Sequence, residues 1–201
     1  SYKSGALSRE EFKVAARSVT EAAFAQLAAE LPAGFAWPNA SAPLALVAVR
    51  GAESRESNAD AASISNEAEC AALVKVVREL LATVAERDIG VITPYAAQAR
   101  LIRDALAGDV EVNTVDAYQG REKDVVLIST VRSNEKGNLG FVADDRRLNV
   151  ALTRARRAVV VVGDPGTLAS DETWRAFVAR CEEDGCCVEG PSSEIATATP
   201  P

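Results

Sequence analysis

With 201 residues, 48% of them hydrophobic and 25% charged, the chain has the length and balance of one globular domain with a tail. The absence of histidine excludes Ser-His and Cys-His hydrolases within this chain, and the four cysteines, Cys70, Cys181, Cys186 and Cys187, form no C-x-x-C pair that would suit zinc. A net charge of −7 argues against a nucleic-acid partner, yet residues 121–157 hold nine Lys/Arg against five Asp/Glu, a local +4 that leaves −11 for the rest.

Ser8-Arg9-Glu10-Glu11 is a capping-box pattern, and apolar residues at helical spacing follow it through Leu31, until Pro32, Gly34 and Pro38 break the chain. Leu44 to Val49 reads as a short buried strand, and the polar, Ala/Ser-rich residues 50–65 as a surface loop. Asn66-Glu67-Ala68-Glu69 opens a second capping box, and Leu73, Val76, Val77, Leu80, Leu81 and Val84 lay out an amphipathic helix. Ile89 to Thr93 reads as a strand stopped by Pro94, followed by helix from about Tyr95 to Leu106 with Ala99, Ile102 and Leu106 on one stripe. Val112 to Val115 and Val125 to Val131 are β-branched runs with a charged loop between them. Arg146 to Arg157 is expected to be helix, Val159 to Val162 a strand buried on both faces, and Thr173 to Glu183 a last helix.

The domain is expected to span 1–188, with a small-residue, Pro-rich and disordered tail over 189–201. Short all-apolar strands alternating with helices imply an α/β fold with a mainly parallel sheet covered on both faces. No apolar run has the length of a bilayer span. The chain contains no Met, which predicts a piece of a longer product.

Three stretches carry chemistry. In the first, Thr93-Pro94-Tyr95, a strand ends and a helix starts at once; Pro in the first turn loses no hydrogen bond, and the free N–H groups beyond it can receive a phosphate. Alone, such a junction is more often an ordinary structural turn. In the second, residues 112–124, a strand delivers Thr114 and Asp116 to its carboxyl end, where open α/β sheets bind ligands, and Gly120 lets the backbone approach one closely. The bland alternative is a capped turn followed by a solvated Arg-Glu-Lys-Asp loop. In the third, Asp145 to Arg156, a helix would set Arg147, Ala151 and Arg154 on one face beside a core stripe of Leu148, Leu152, Ala155 and Val159. Arg147 and Arg154 would then form a rigid fork suited to phosphate oxygens, unless they are solvated or paired with Asp144 and Asp145.

Together and in this order the three resemble motifs IV, V and VI of the superfamily 1 helicases, most closely the group of the nonsense-mediated-decay helicase, senataxin and the replication helicase-nuclease. The pattern VDAYQGREKDVVLISTVRSN…GF…D.RRLNVALTRAR…VVVG runs from Val115 to Gly163. Ser1 to Leu7 resembles the stretch after motif III, and the likeness covers about residues 1–180. It implies a RecA-like fold, the second motor domain of a nucleoside-triphosphate-hydrolysing helicase. It also implies ATP and Mg²⁺ bound against a first RecA-like domain and single-stranded RNA or DNA as partner; the lack of disulfide logic and of targeting signals, independently, favours cytoplasm or nucleus. By the same resemblance Arg154 is an arginine finger on the γ-phosphate, Glu122 contacts the nucleotide sugar, and Gly120 lies beside the phosphates. Thr93, Pro94, Tyr95, Thr114 and Asp116 line or support the single-strand track. Stacking on bases is expected to be minor, because Tyr95 and Tyr118 are the only aromatics close to these loops in sequence.

The chain contains no G-x-x-x-x-G-K-[ST] and no apolar strand ending in Asp-Glu, so the phosphate cradle and the metal dyad are expected on the first domain. Alone, the chain is expected not to hydrolyse ATP. The competing reading is a helicase-derived binding or regulatory module without turnover. An unrelated dinucleotide enzyme is disfavoured, since no G-x-G-x-x-G follows a strand.

Overall fold

Residues that are apolar on both sides of a strand have nowhere to go but a sheet covered on two faces, and the strands here follow that rule. The computed structural model describes residues 31–56, 63–108, 110–118 and 120–190. Its main sheet has six strands: β1 (Leu44–Ala48), β4 (Ile89–Thr93), β5 (Glu111–Thr114), β6 (Lys123–Ser129), β7 (Ala155–Gly163) and β8 (Cys187–Glu189). They lie in the order β5-β4-β6-β7-β1-β8, and every pairing is parallel. A separate hairpin joins β2 (Glu53–Arg55) to β3 (Ile64–Asn66). The helices are α1 (Glu67–Leu80), α2 (Ala96–Leu106), α3 (Asp145–Leu152), the single turn α4 (Pro165–Leu168) and α5 (Glu172–Glu183). This is a RecA-like α/β fold.

Successive strand residues alternate between two cores. Val159 and Val161 face one side with Leu46, Ile92 and Ile128, under Ala151 and Leu152 of α3 and Trp174, Phe177 and Val178 of α5. Val160 and Val162 face the other with Val47, Val91 and Leu127, under Leu73, Val77 and Leu80 of α1 and Ala99 and Ile102 of α2. The expected stripe on α2, Ala99, Ile102 and Leu106, is buried as the spacing requires.

Four sequence expectations need correcting. Residues 50–65 are not all loop: Glu53–Arg55 pairs antiparallel with Ile64–Asn66. Helix does not run from Arg146 to Arg157; α3 stops at Leu152, and β7 already begins at Ala155, opposite Lys123. Arg154 therefore stands in the turn beyond the helix, and Arg156 and Arg157 lie on a strand. Glu189, assigned to the tail, closes β8, and the Gly190 N–H donates to Ala48 O at 2.8 Å. The Asn66–Glu69 capping box forms by half. The Asn66 side chain accepts from the Glu69 N–H at 3.1 Å, but the Glu69 carboxyl turns inward, to Ser129 Oγ and the Val131 N–H, both 2.7 Å away. The helix expected over Ser8–Leu31, and the tail beyond Gly190, lie outside the described residues.

Candidate functional site

Because all six strands run the same way, the sheet has a carboxyl edge and an amino edge, and the sequence-derived site residues divide between them. At the carboxyl edge Thr93 ends β4 and Thr114 ends β5, paired with each other in register. Pro94 follows and starts the turn into α2. Thr93 is fully buried, and its hydroxyl has no hydrogen-bond partner among the described residues. Tyr95 is buried too: its hydroxyl donates to Leu139 O at 3.4 Å and accepts from Arg132 Nη1 at 3.3 Å. These two can support a surface but do not form one. Asp116 is exposed, and its carboxylate lies 3.0 Å from Arg147 Nη2.

Arg147 thus joins the residues expected on the strand track. Asp144 starts α3 by accepting from the N–H groups of Arg146 at 3.0 Å and Arg147 at 3.4 Å, so the first turn is fixed at this edge. Arg147 extends from it over the ring of Phe141, its guanidinium carbon 5.3 Å from the ring centroid. A narrow apolar recess continues the edge between Pro94, Val115, Val142 and Trp174.

Arg154 lies at the amino edge. Its carbonyl accepts from the Lys123 N–H at 3.0 Å, bolting the turn after α3 to the start of β6. Its guanidinium is folded back on that turn, with Nε donating to Val150 O at 3.1 Å and Nη2 to Thr153 Oγ1 at 3.2 Å. Glu122 precedes β6 and pairs with Arg156 at 3.3 Å. Gly120 stands nearby at φ +77°, a conformation that favours glycine, and a Cβ there would meet nothing within 4 Å. The expected fork of Arg147 and Arg154 on one helical face is not present, because the helix ends between them.

Nucleotide chemistry fits this edge in part. A half-buried guanidinium and an exposed carboxylate suit phosphate and sugar hydroxyls respectively, whereas no cluster of acids among the described residues could hold a metal ion.

Beneath the carboxyl edge lies a polar layer that no local pattern in the sequence marks. Glu53 accepts from Arg132 Nε at 2.9 Å, the Ser133 N–H at 3.1 Å and Asn134 Nδ2 at 2.7 Å. Burial alone would raise the Glu53 carboxyl, but the bonds from Arg132 and Asn134 outweigh it and hold the group below its ordinary range. In the sequence Arg132 reads only as one charge of the basic segment 121–157. Phe141, part of the G-F pair in the motif pattern, had drawn no role; exposure in three dimensions is the only signal that singles it out.

A protein-family model described as an AAA domain matches residues 4–166. The chain belongs to the superfamily 1 helicases. Within that family it resembles the regulator of nonsense transcripts 1 homolog of Neurospora crassa, 40% identical over 172 residues, which are 80% of this chain and 16% of that protein. It is similar to the ATP-dependent helicase NAM7 of Saccharomyces cerevisiae, 38% identical over 82% of this chain and 18% of the relative. It is also similar to the DNA polymerase alpha-associated DNA helicase A of the same yeast, 44% identical over 71% of this chain and 22% of the relative. This helicase-family chain therefore spans less than a quarter of the length of the curated relatives described here. No helix among the described residues is long and apolar enough to cross a membrane.

Proposed function

We propose that the chain is the C-terminal motor domain of an ATP-dependent helicase acting on RNA or DNA, working against a first RecA-like domain that carries the P-loop. One observation carries the reading: α3 holds Arg147 in its first turn at the carboxyl edge, beside Asp116, and ends two residues before Arg154 at the amino edge. A rod of eight residues, about 12 Å long, joins the two places at which strand and nucleotide are expected. Closure on nucleotide at one end then shifts the grip at the other.

In this reading Arg154 is the arginine finger, Glu122 accepts from the sugar and Gly120 lies beside the phosphates. Arg147 sits too far along α3 to share the nucleotide with Arg154 and serves the strand instead. Thr93, Pro94, Tyr95, Thr114 and Asp116 line or support the track. Bound ATP supplies the phosphoryl group, and Mg²⁺ is held by the first domain. Arg154 uses Nε and one Nη2 bond within its own turn, so its remaining N–H groups are those available to phosphate oxygens.

The test is kcat at saturating ATP and single strand, with the P-loop domain present. Arg154→Ala is expected to lower it by about 10³–10⁵, the contribution of an arginine finger, while leaving strand binding intact. Arg154→Lys fails as well, because an ammonium cannot reproduce the planar fork. Near-normal turnover in Arg154→Ala sinks the assignment. Turnover by the 201-residue chain alone would require a different site altogether.

A further inference from the structure

We infer that Phe141 is a stacking platform for one base of the single strand, with Arg147 meeting the phosphate beside it; this rests on the motor-domain reading above. Phe141 is the one large hydrophobic side chain exposed among the described residues, at 53%. A lone exposed aromatic on a loose loop would need no explanation. This loop is built from below.

Gly140 takes φ +53°, and a Cβ there would fall 2.6 Å from Arg132 Nη1 and 2.8 Å from the Tyr95 hydroxyl. Arg132 is itself buried, at 3% exposure, and locked to Glu53. Before Gly140, Leu139 O accepts from Tyr95; after Phe141, Val142 O accepts from Trp174 Nε1 at 2.8 Å. The backbone on both sides of Phe141 is therefore pinned to the core while the ring stays in water. Tyr95 supports it from beneath, centroids 5.7 Å apart and planes tilted by 55°.

A nucleotide satisfies both features of this spot. The ring offers a π-face, which any base can stack upon. The guanidinium, held near the ring and paired among the described residues with the exposed Asp116 and the more distant Asp144, can exchange those partners for a phosphate. Arg146, exposed next door, adds a second cation. The place shares a recess with Pro94 and Val115, on the edge already expected to hold the strand.

The experiment titrates the 201-residue chain against fluorescent oligouridylate and oligothymidylate, and against an abasic strand of equal length, at two salt concentrations. Phe141→Ala is expected to weaken the ordinary strands by roughly five- to tenfold, the lower range for one stacked base, and the abasic strand hardly at all. Phe141→Tyr restores binding. Arg147→Ala lowers the salt slope by about one on every strand, as for one lost phosphate contact. Thermal unfolding of each variant separates lost fold from lost contact. Equal weakening on ordinary and abasic strands overturns the stacking. So does wild-type affinity in Phe141→Ala, which would assign the ring to a protein surface such as the first domain. Failure of the wild-type chain to bind any strand at either salt overturns the motor-domain track as well, whereas the two preceding outcomes leave it standing.

Discussion

Glu69 sits in the first turn of α1, where its sequence neighbours suggest a cap, and is fully buried beneath the end of β6. Its carboxyl accepts from the Val131 N–H and Ser129 Oγ, and it lies 3.5 Å from Thr130 Oγ1. Burial dominates over those bonds and pushes the group up to about 8, from 4.5 when exposed. Between these two values the folded chain keeps a proton that the unfolded chain has released, so stability falls as pH rises from about 4.5 to about 8. Glu69→Gln preserves the shape and removes the ionisation. Its thermal midpoint should therefore vary less than the wild type's across that window, the two curves separating toward pH 8; parallel curves would contradict the account. The residue was legible as a helix start because Asn-x-x-Glu is a local pattern. Its real partners lie sixty or more residues away and leave no mark on the local sequence. Phe141 and Arg132 escaped notice for the same reason: burial and exposure are properties of neighbours.

Elements read well wherever one local force decides them. Ile89–Thr93 and the α2 stripe were plain, since unbroken apolar runs and three-four spacing admit few other structures. The end of α3 was not. Thr153-Arg154-Ala155-Arg156 contains neither Gly nor Pro, and Ala and Arg favour helix; pairing of Ala155 with Lys123 at the sheet edge overrides that preference. The β2–β3 hairpin was hidden likewise, because much of what fixes it is distant: Glu53 to Arg132, and Asn66 to Val131 O at 3.1 Å and Gly51 O at 3.3 Å. Asn66 thus ends a strand, caps a helix and holds Val131, a β-branched residue kept at φ 71°. Asn66→Ala removes the cap and strands a buried carbonyl. Together these should cost about 2–4 kcal/mol in urea unfolding. A loss under about 1 kcal/mol, the worth of a cap alone, would mean that the buried bonds contribute nothing.

Across the whole molecule the sheet is assembled out of chain order. β1 lies between β7 and β8, paired Leu44 to Val159 on one side and Leu46 to Cys187 on the other. A chain ended at Leu152 keeps the β5-β4-β6 half but leaves β1 without a neighbour, and should lose cooperative urea unfolding by far-ultraviolet circular dichroism. A sharp transition with the full chain's denaturant slope would show that β1 is dispensable. During synthesis the same arrangement imposes a wait. About 115 residues separate Leu44 from its partner, which at roughly 5–20 residues per second is on the order of 6–23 s on the ribosome. For that interval Leu-Ala-Leu-Val-Ala is an uncharged strand with two bare edges, the kind of segment that other nascent chains can capture.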